Sequence, residues 1–290
     1  MIKYNPKSWV KLIFALHKSD TIRILWKELI YVALLAIATA WVEITYFPNN
    51  KALSNLNIVY SLVGFVISLL LVFRTNTAYD RWWEGRKKWG ELVNDSRNFM
   101  VKINQFNISQ ADKLYFARMV SNYAISCKDH LVHKTIFENL DLTDEERNHL
   151  ATTAHKPMGI VDLIYAKLFE LKKQGLVEKE EFRSIDYNLN GFLNMIGACE
   201  RIKYTPIPFS YSLFIKKFIF IYTSTLPIAF VGVLGYFSVV VTVLVFYVLV
   251  SMEILAEEIE DPFGLDDNDL PTDEISTRIK LVSHNIVNHK

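Results

Sequence analysis

Seven histidines, His17, His130, His133, His149, His155, His284 and His289, are the first candidates for metal or proton chemistry. His130 and His133 stand three apart and could share a helix face. No HExxH and no paired Cys/His spacing completes a zinc site, so both are read as solvated surface histidines. Cys127 and Cys199 are too few for a disulfide framework and read as buried free thiols of a reducing compartment. Neither adjoins a motif suited to nucleophilic catalysis. Gly159, Gly175 and Gly191 are isolated and form no phosphate loop. The densest chemical group is acidic: Glu253, Glu257, Glu258, Glu260, Asp261, Asp266, Asp267, Asp269, Asp273 and Glu274, with no base before Arg278. Carboxylates at this density could hold a hard cation such as calcium. The EF-hand pattern fails, because its fifth position is Leu270 counted from Asp266 and Pro271 counted from Asp267. The alternative is a solvated acidic turn that caps the fourth apolar segment. It would pair with bases near the N-terminus or after the second segment. A last group is Arg74–Gly90, RTNTAYDRWWEGRKKWG. Taken alone, its bases and its Trp82-Trp83 pair have the composition of a membrane-interface anchor.

The elements that must position these residues follow from how the apolar residues are clustered. The chain has 290 residues, 51% hydrophobic, with 22% charge and a net charge of +1. Its mean hydropathy of +0.16 is high for a soluble chain so charged. Near-neutral charge argues against a nucleic-acid binder built on a basic face. Leu29–Val42 is an apolar run closed by Glu43. Ala52–Phe73 has no charge for 22 residues, enough for one span. Phe218–Met252 has no charge for 35 residues, too long for one span at about 1.5 Å per residue. Pro227, Gly232 and Gly235 punctuate it, which predicts a hairpin turning near Gly235–Ser238. Four spans result. The competing reading, buried helices of a soluble core, has to place 35 uncharged residues in such a core.

Charge then orients the spans. Lys3, Lys7, Lys11, Lys18, Arg23 and Lys27 precede the first span, and only Lys51 lies between spans one and two. Arg74, Arg81, Arg86, Lys87 and Lys88 follow span two, and Lys216 and Lys217 precede span three. Both termini and the middle of the chain are thereby expected in the cytoplasm. No cleavable signal peptide is evident at the start. The expected organisation is a cytoplasmic N-terminal stretch (1–27), spans one and two (28–73), a helical cytoplasmic region (74–210), spans three and four (211–256), and an acidic turn with a C-terminal tail (257–290). Within the cytoplasmic region, Asp80–Val101, Leu114–Leu131 and Ser184–Lys203 have apolar residues at helical spacing, and Thr143 with Glu146 forms a capping-box pattern.

The segment Arg74…Tyr79-Asp80-Arg81-Trp82-Trp83-Glu84-Gly85-Arg86-Lys87…Trp89-Gly90 resembles the signature of bestrophins, particularly the bacterial branch. Thr205-Pro206-Ile207-Pro208 and Asp261-Pro262-Phe263-Gly264 stand where bestrophins carry similar motifs, and the resemblance covers nearly the whole chain. It implies a homopentameric ion channel with one central pore lined by the second span. In bestrophins three bulky apolar residues, four apart, form a hydrophobic neck ahead of the Arg-Trp-Trp motif. Here Phe65, Leu69 and Phe73 fall on that register. Spacing of four keeps side chains near one helix face, and a narrow apolar ring gates by dewetting. Taken without the resemblance, the three are ordinary packing residues. Gly64 and Ser68 beside the stripe would let neighbouring helices approach.

A second, cytosolic constriction in the family falls here at Glu180, with Glu181, Phe182 and Ile185 as neighbouring registers. The calcium clasp of animal members is matched in part, by Asp261, Asp266, Asp267 and Asp269, while Leu265 and Asn268 replace acidic residues. The expectation is an all-α membrane protein of four spans with a large helical cytoplasmic region, pentameric around a pore. It would be a passive channel of the cell (inner) membrane, not an enzyme, and would need no cofactor, with calcium ranked behind an unmetalled acidic turn. Its partners would be further copies of itself, membrane lipid and monovalent ions, and no nucleic acid. An acidic mouth at Glu180 and Glu181 would favour sodium and potassium. The alternatives are an anion-selective channel, a non-conducting scaffold subunit, or a secondary transporter, which usually shows paired repeats absent here.

Overall fold

The computed structural model describes residues 21–47, 55–132 and 137–288. Among them there are nine α-helices, one short 3-10 turn at Phe137–Asn139, and no strand. The helices are α1 (Thr21–Tyr46), α2 (Leu56–Gln105), α3 (Gln110–Leu131), α4 (Asp144–Thr152), α5 (Lys156–Lys173), α6 (Lys179–Tyr204), α7 (Phe209–Leu234), α8 (Phe237–Glu260) and α9 (Thr272–Asn288). Four of them, α1, α2, α7 and α8, are long and apolar enough to cross a membrane. Helix α1 starts at Thr21, inside the stretch expected to be N-terminal cytoplasmic sequence, and runs through Glu43 to Tyr46. The bases Lys3, Lys7, Lys11, Lys18 and Lys51, and with them most of the orientation argument, lie outside the described residues, as do His17, His133 and His289.

Helix α2 organises the molecule. It has 50 residues and no proline, so nothing interrupts its hydrogen-bond ladder. At about 1.5 Å per residue it is roughly 75 Å long, against a hydrocarbon core of about 30 Å. Its apolar first half crosses, and its charged second half continues into the next layer as the spine of a helical body. There Trp89, Leu92, Phe99 and Ile103 are fully buried where α2 packs against α3, α6 and α9. Phe99 meets Phe116 edge-on at 5.9 Å, and Tyr123 stacks on Phe192 at 4.9 Å and donates to its carbonyl.

The helix ends follow local chemistry. Thr143 and Glu146 form the expected capping box at α4. Helix α5 stops at Gly175, whose φ of +76° permits the left-handed turn. The Leu176 and Gly175 amides donate back to Leu171 and Lys172, a Schellman closure. The α7–α8 hairpin turns at Gly235, φ +55°, where the sequence predicts it, while Pro227 lies inside α7. A second apolar cluster, Ile67, Leu71, Ile215, Ile219, Leu226 and Leu249, holds α2 against α7 and α8 within the span layer.

Candidate pore

Phe65, Leu69 and Phe73 share one face of α2 and are all exposed in the single chain, at 66%, 44% and 57%. The opposite face is the one the chain itself uses: Ile67 and Leu71 are buried against α7 and α8. Gly64 also faces inward. A Cβ there would lie 2.6 Å from the Tyr222 hydroxyl of α7, and that hydroxyl donates to the Tyr60 carbonyl at 3.2 Å. The close approach expected at Gly64 is therefore made within the chain. Ser68 is exposed and donates back to the Gly64 carbonyl. Three bulky side chains thus stand on a rigid helix, aimed away from their own subunit.

Below this stripe the residues of the Arg74–Gly90 motif find structural work. The Arg74 guanidinium is buried and pairs with Glu260 at 2.6 Å and with Glu253 at 3.7 Å, tying α2 to the end of α8. Arg81 donates to the carbonyls of Ile202 and Thr205 at the end of α6 and of Glu260 at the end of α8. These are carbonyls a helix terminus leaves without intrahelical partners. The Trp82 indole donates to the Asn268 carbonyl at 3.1 Å. Gly85 leaves room for Phe263 and Pro262, whose nearest atoms would lie 3.0 Å and 3.2 Å from a Cβ. Glu84 pairs with Arg201. Arg74–Gly90 is therefore a junction that gathers the ends of α6 and α8 and the acidic turn onto α2. The interface-anchor reading fits only its exposed edge, Tyr79 and Trp83.

The cytosolic-mouth residues separate. Glu180 is exposed. Glu181 is tied into a capping box, accepting from the Glu178 amide at 2.8 Å. Phe182 turns inward against Phe169, centroids 4.9 Å apart, with the Lys172 ammonium over its ring. Ile185 is fully buried in the core of the helical body outside the spans. Ile185 as a mouth residue is thus corrected: it stands five residues past the exposed Glu180, and at about 100° per residue α6 has turned that side chain to the other face, into the core.

The acidic turn also divides. Asp261 caps α8 and pairs with Lys203 of α6 at 2.5 Å; of the bases expected to meet it, Lys3, Lys7, Lys11 and Lys18 lie outside the described residues. Asp269 is buried, and one carboxylate oxygen accepts from the Asp266 amide at 2.6 Å while the other has no protein partner. Burial, helped by the charges of Asp266 and Asp261, pushes its carboxyl up to about 7. Asp266 and Asp269 line a cavity of about 460 Å³ together with Lys128, Asp129, Asp273 and Glu274. Asp261 and Asp267 do not line it. The four clasp candidates do not converge. Two of them face one cavity, and the unpartnered Asp269 oxygen there is the feature that would suit a hard cation.

One group escaped the sequence reading. His130, read as a solvated surface residue, is part-buried and meets His155 and Glu200. The three come from separate helices, so no local spacing announced them.

Comparison with known proteins accords with this architecture. The family model described as Bacterial/Fungal Bestrophin protein matches residues 1–284. A voltage-dependent anion channel-forming protein of Nostoc sp. is 33% identical over 281 residues, covering 94% of this chain and 90% of that protein. The voltage-dependent anion channel-forming protein YneE of Escherichia coli K12 is 29% identical over 286 residues, covering 97% and 92%. The crystal structure of a bacterial bestrophin homologue from Klebsiella pneumoniae superposes with a TM-score of 0.83 over 92% of this chain and 99% of that one, at 24% identity. The matched family model, spanning both the pore helix and the junction beneath it, makes this chain a member of the bacterial and fungal bestrophin family.

Proposed function

We propose that the chain is the subunit of a passive, bestrophin-type ion channel, gated where Phe65, Leu69 and Phe73 ring the axis of an oligomer, five copies being the number the family resemblance implies. The observation that carries this is the exposed apolar stripe on the face of α2 turned away from its own chain. A ring of such side chains is uncharged and excludes ions by dewetting when narrow. The channel names of the curated relatives support conduction and a non-enzymatic role. Four candidate spans and bacterial relatives support the inner membrane as its place.

Ion preference is then set at the mouths, where charge changes the local ion concentration. The relatives' names favour anions. The cation preference expected from an acidic mouth keeps a narrower footing: Glu181 is used in a cap, Ile185 is buried, and only Glu180 stands exposed among those four. The test is purified protein in planar bilayers under asymmetric sodium chloride. Single-channel currents are expected. A reversal potential toward the chloride equilibrium value supports the anion reading, and one toward sodium, abolished by Glu180→Gln, supports the cation reading. Silent bilayers with protein shown to be inserted would overturn conduction itself.

A further inference from the structure

His130 lies in the last turn of α3, His155 is the N-cap of α5, and Glu200 lies near the end of α6. Both Nε2 atoms approach one oxygen, Glu200 Oε1, at 2.7 Å and 2.9 Å. The imidazole rings are 4.6 Å apart, centroid to centroid. The three ligand atoms all lie within 4.8 Å of one another. Each side chain is about a quarter exposed, so the site is shielded yet open to solvent on one side.

We propose that His130, His155 and Glu200 form a transition-metal site of the zinc(II) class. Two imidazoles and one carboxylate suit zinc better than calcium or magnesium, which prefer all-oxygen shells. Zinc–ligand bonds of about 2.0–2.1 Å in a tetrahedron put the ligands roughly 3.4 Å apart. The two contacts to Glu200 need to open by about half an ångström, and the two Nε2 atoms, within 4.8 Å of each other, to settle at the same spacing. Three protein ligands leave the remaining position to water on the open side.

The hydrogen bonds fix what must change on binding. The Met158 amide donates to His155 Nδ1 at 3.1 Å, so the ring proton now sits on Nε2 and points at Glu200. A metal at Nε2 requires that proton to move to Nδ1. The neutral ring keeps its single proton, and the Met158 amide loses its acceptor. Met158 is half-exposed, so water replaces the cap. Metal binding therefore clamps the ends of α3, α5 and α6 together while freeing the first turn of α5. Arg201, next to Glu200, pairs with Glu84 on the pore helix, so the clamp acts one residue from the junction with α2.

The test titrates EDTA-stripped, full-length protein in detergent with zinc chloride by calorimetry. One zinc per chain is expected. His155→Asn keeps an N-cap acceptor, and Glu200→Gln keeps a hydrogen-bond acceptor. Each should weaken zinc binding by more than the roughly 10–100-fold that loss of an outer-shell partner costs. Hydrogen exchange at the Met158 amide should quicken when zinc is added to the wild type. His149, which meets Asp162 at 3.3 Å on the surface, serves as control, and His149→Ala should leave the affinity unchanged. No saturable binding to the wild type would overturn the proposal. So would binding that survives both variants, or binding lost only with His149. The measurement is independent of whether the protein conducts.

Discussion

At the residue scale, the clearest polar contribution to the helical body outside the spans is Arg118 with Glu146. The guanidinium reaches both carboxylate oxygens, at 2.6 Å and 2.7 Å, with both side chains largely buried. The Thr143 amide donates to the same carboxylate. Burial pushes the Glu146 carboxyl up, but the Arg118 hydrogen bonds and the Thr143 amide outweigh it and hold it below its ordinary value of 4.5. A depressed carboxylate means that the unfolded chain binds the proton more tightly. Stability from this group is thus complete above about 4.5 and is lost as pH falls through the lower folded value. Glu146→Gln should cost about 1.5–3 kcal/mol at neutral pH. The gap between the melting curves of variant and wild type should narrow as the pH is taken from 6 to below 4. A gap that stays constant over that range would mean that the pair is not ionised as described. The Thr143–Glu146 spacing was visible in the sequence as a cap. Arg118 was not, because nothing local links it to a residue on α4.

At the element scale, α2 carries two duties on two faces. One face, Ile67 and Leu71, binds the subunit together, and the other, Phe65, Leu69 and Phe73, contributes little to it. This asymmetry makes the neck assignment testable. Replacing the three with Ala should leave folding almost intact, because the atoms removed are not in the subunit core, where such cuts cost about 2–5 kcal/mol each. Conductance or open probability in bilayers should rise as the ring widens and wets. Wild-type currents from the folded triple variant would take these residues out of the pore. The spanning half of α2, the hairpin at Gly235 and the cap at Thr143 were legible because charge-free runs, a glycine and a capping box are local signals. Ile185 shows the opposite case. Its register on α6 relative to α5 is a tertiary fact, and counting along the chain cannot supply it. The same holds for Asp261, whose partner Lys203 was set by how α6 meets α8, and for His130, His155 and Glu200, which three helix ends bring together.

At the scale of the whole molecule, the single chain leaves much apolar surface uncovered. The apolar window of α2 is only 11% buried within the subunit, less than that of any other candidate span. Lipid can cover such residues inside the bilayer. It cannot cover those carried far beyond it. Val101, about 45 residues along α2, stands roughly 67 Å from the start of that helix and is 51% exposed. Tyr187, at 76%, and Leu281, at 59%, are also exposed on helices of the same body outside the spans. Exposed apolar surface repeated on several elements outside the membrane points to contact with further copies of the chain. A closed ring is the natural outcome of a head-to-tail contact between identical subunits. Native mass measurement in detergent should therefore give a single species of five chains. The ring should persist when the apolar spans are bathed in detergent, if the exposed apolar residues beyond the spans make much of the contact. Tyr187→Glu places a charge on that surface without touching the subunit core, and it should shift the population toward smaller species. A wild-type protein that runs as a monomer or dimer would leave Phe65, Leu69 and Phe73 without a ring to form.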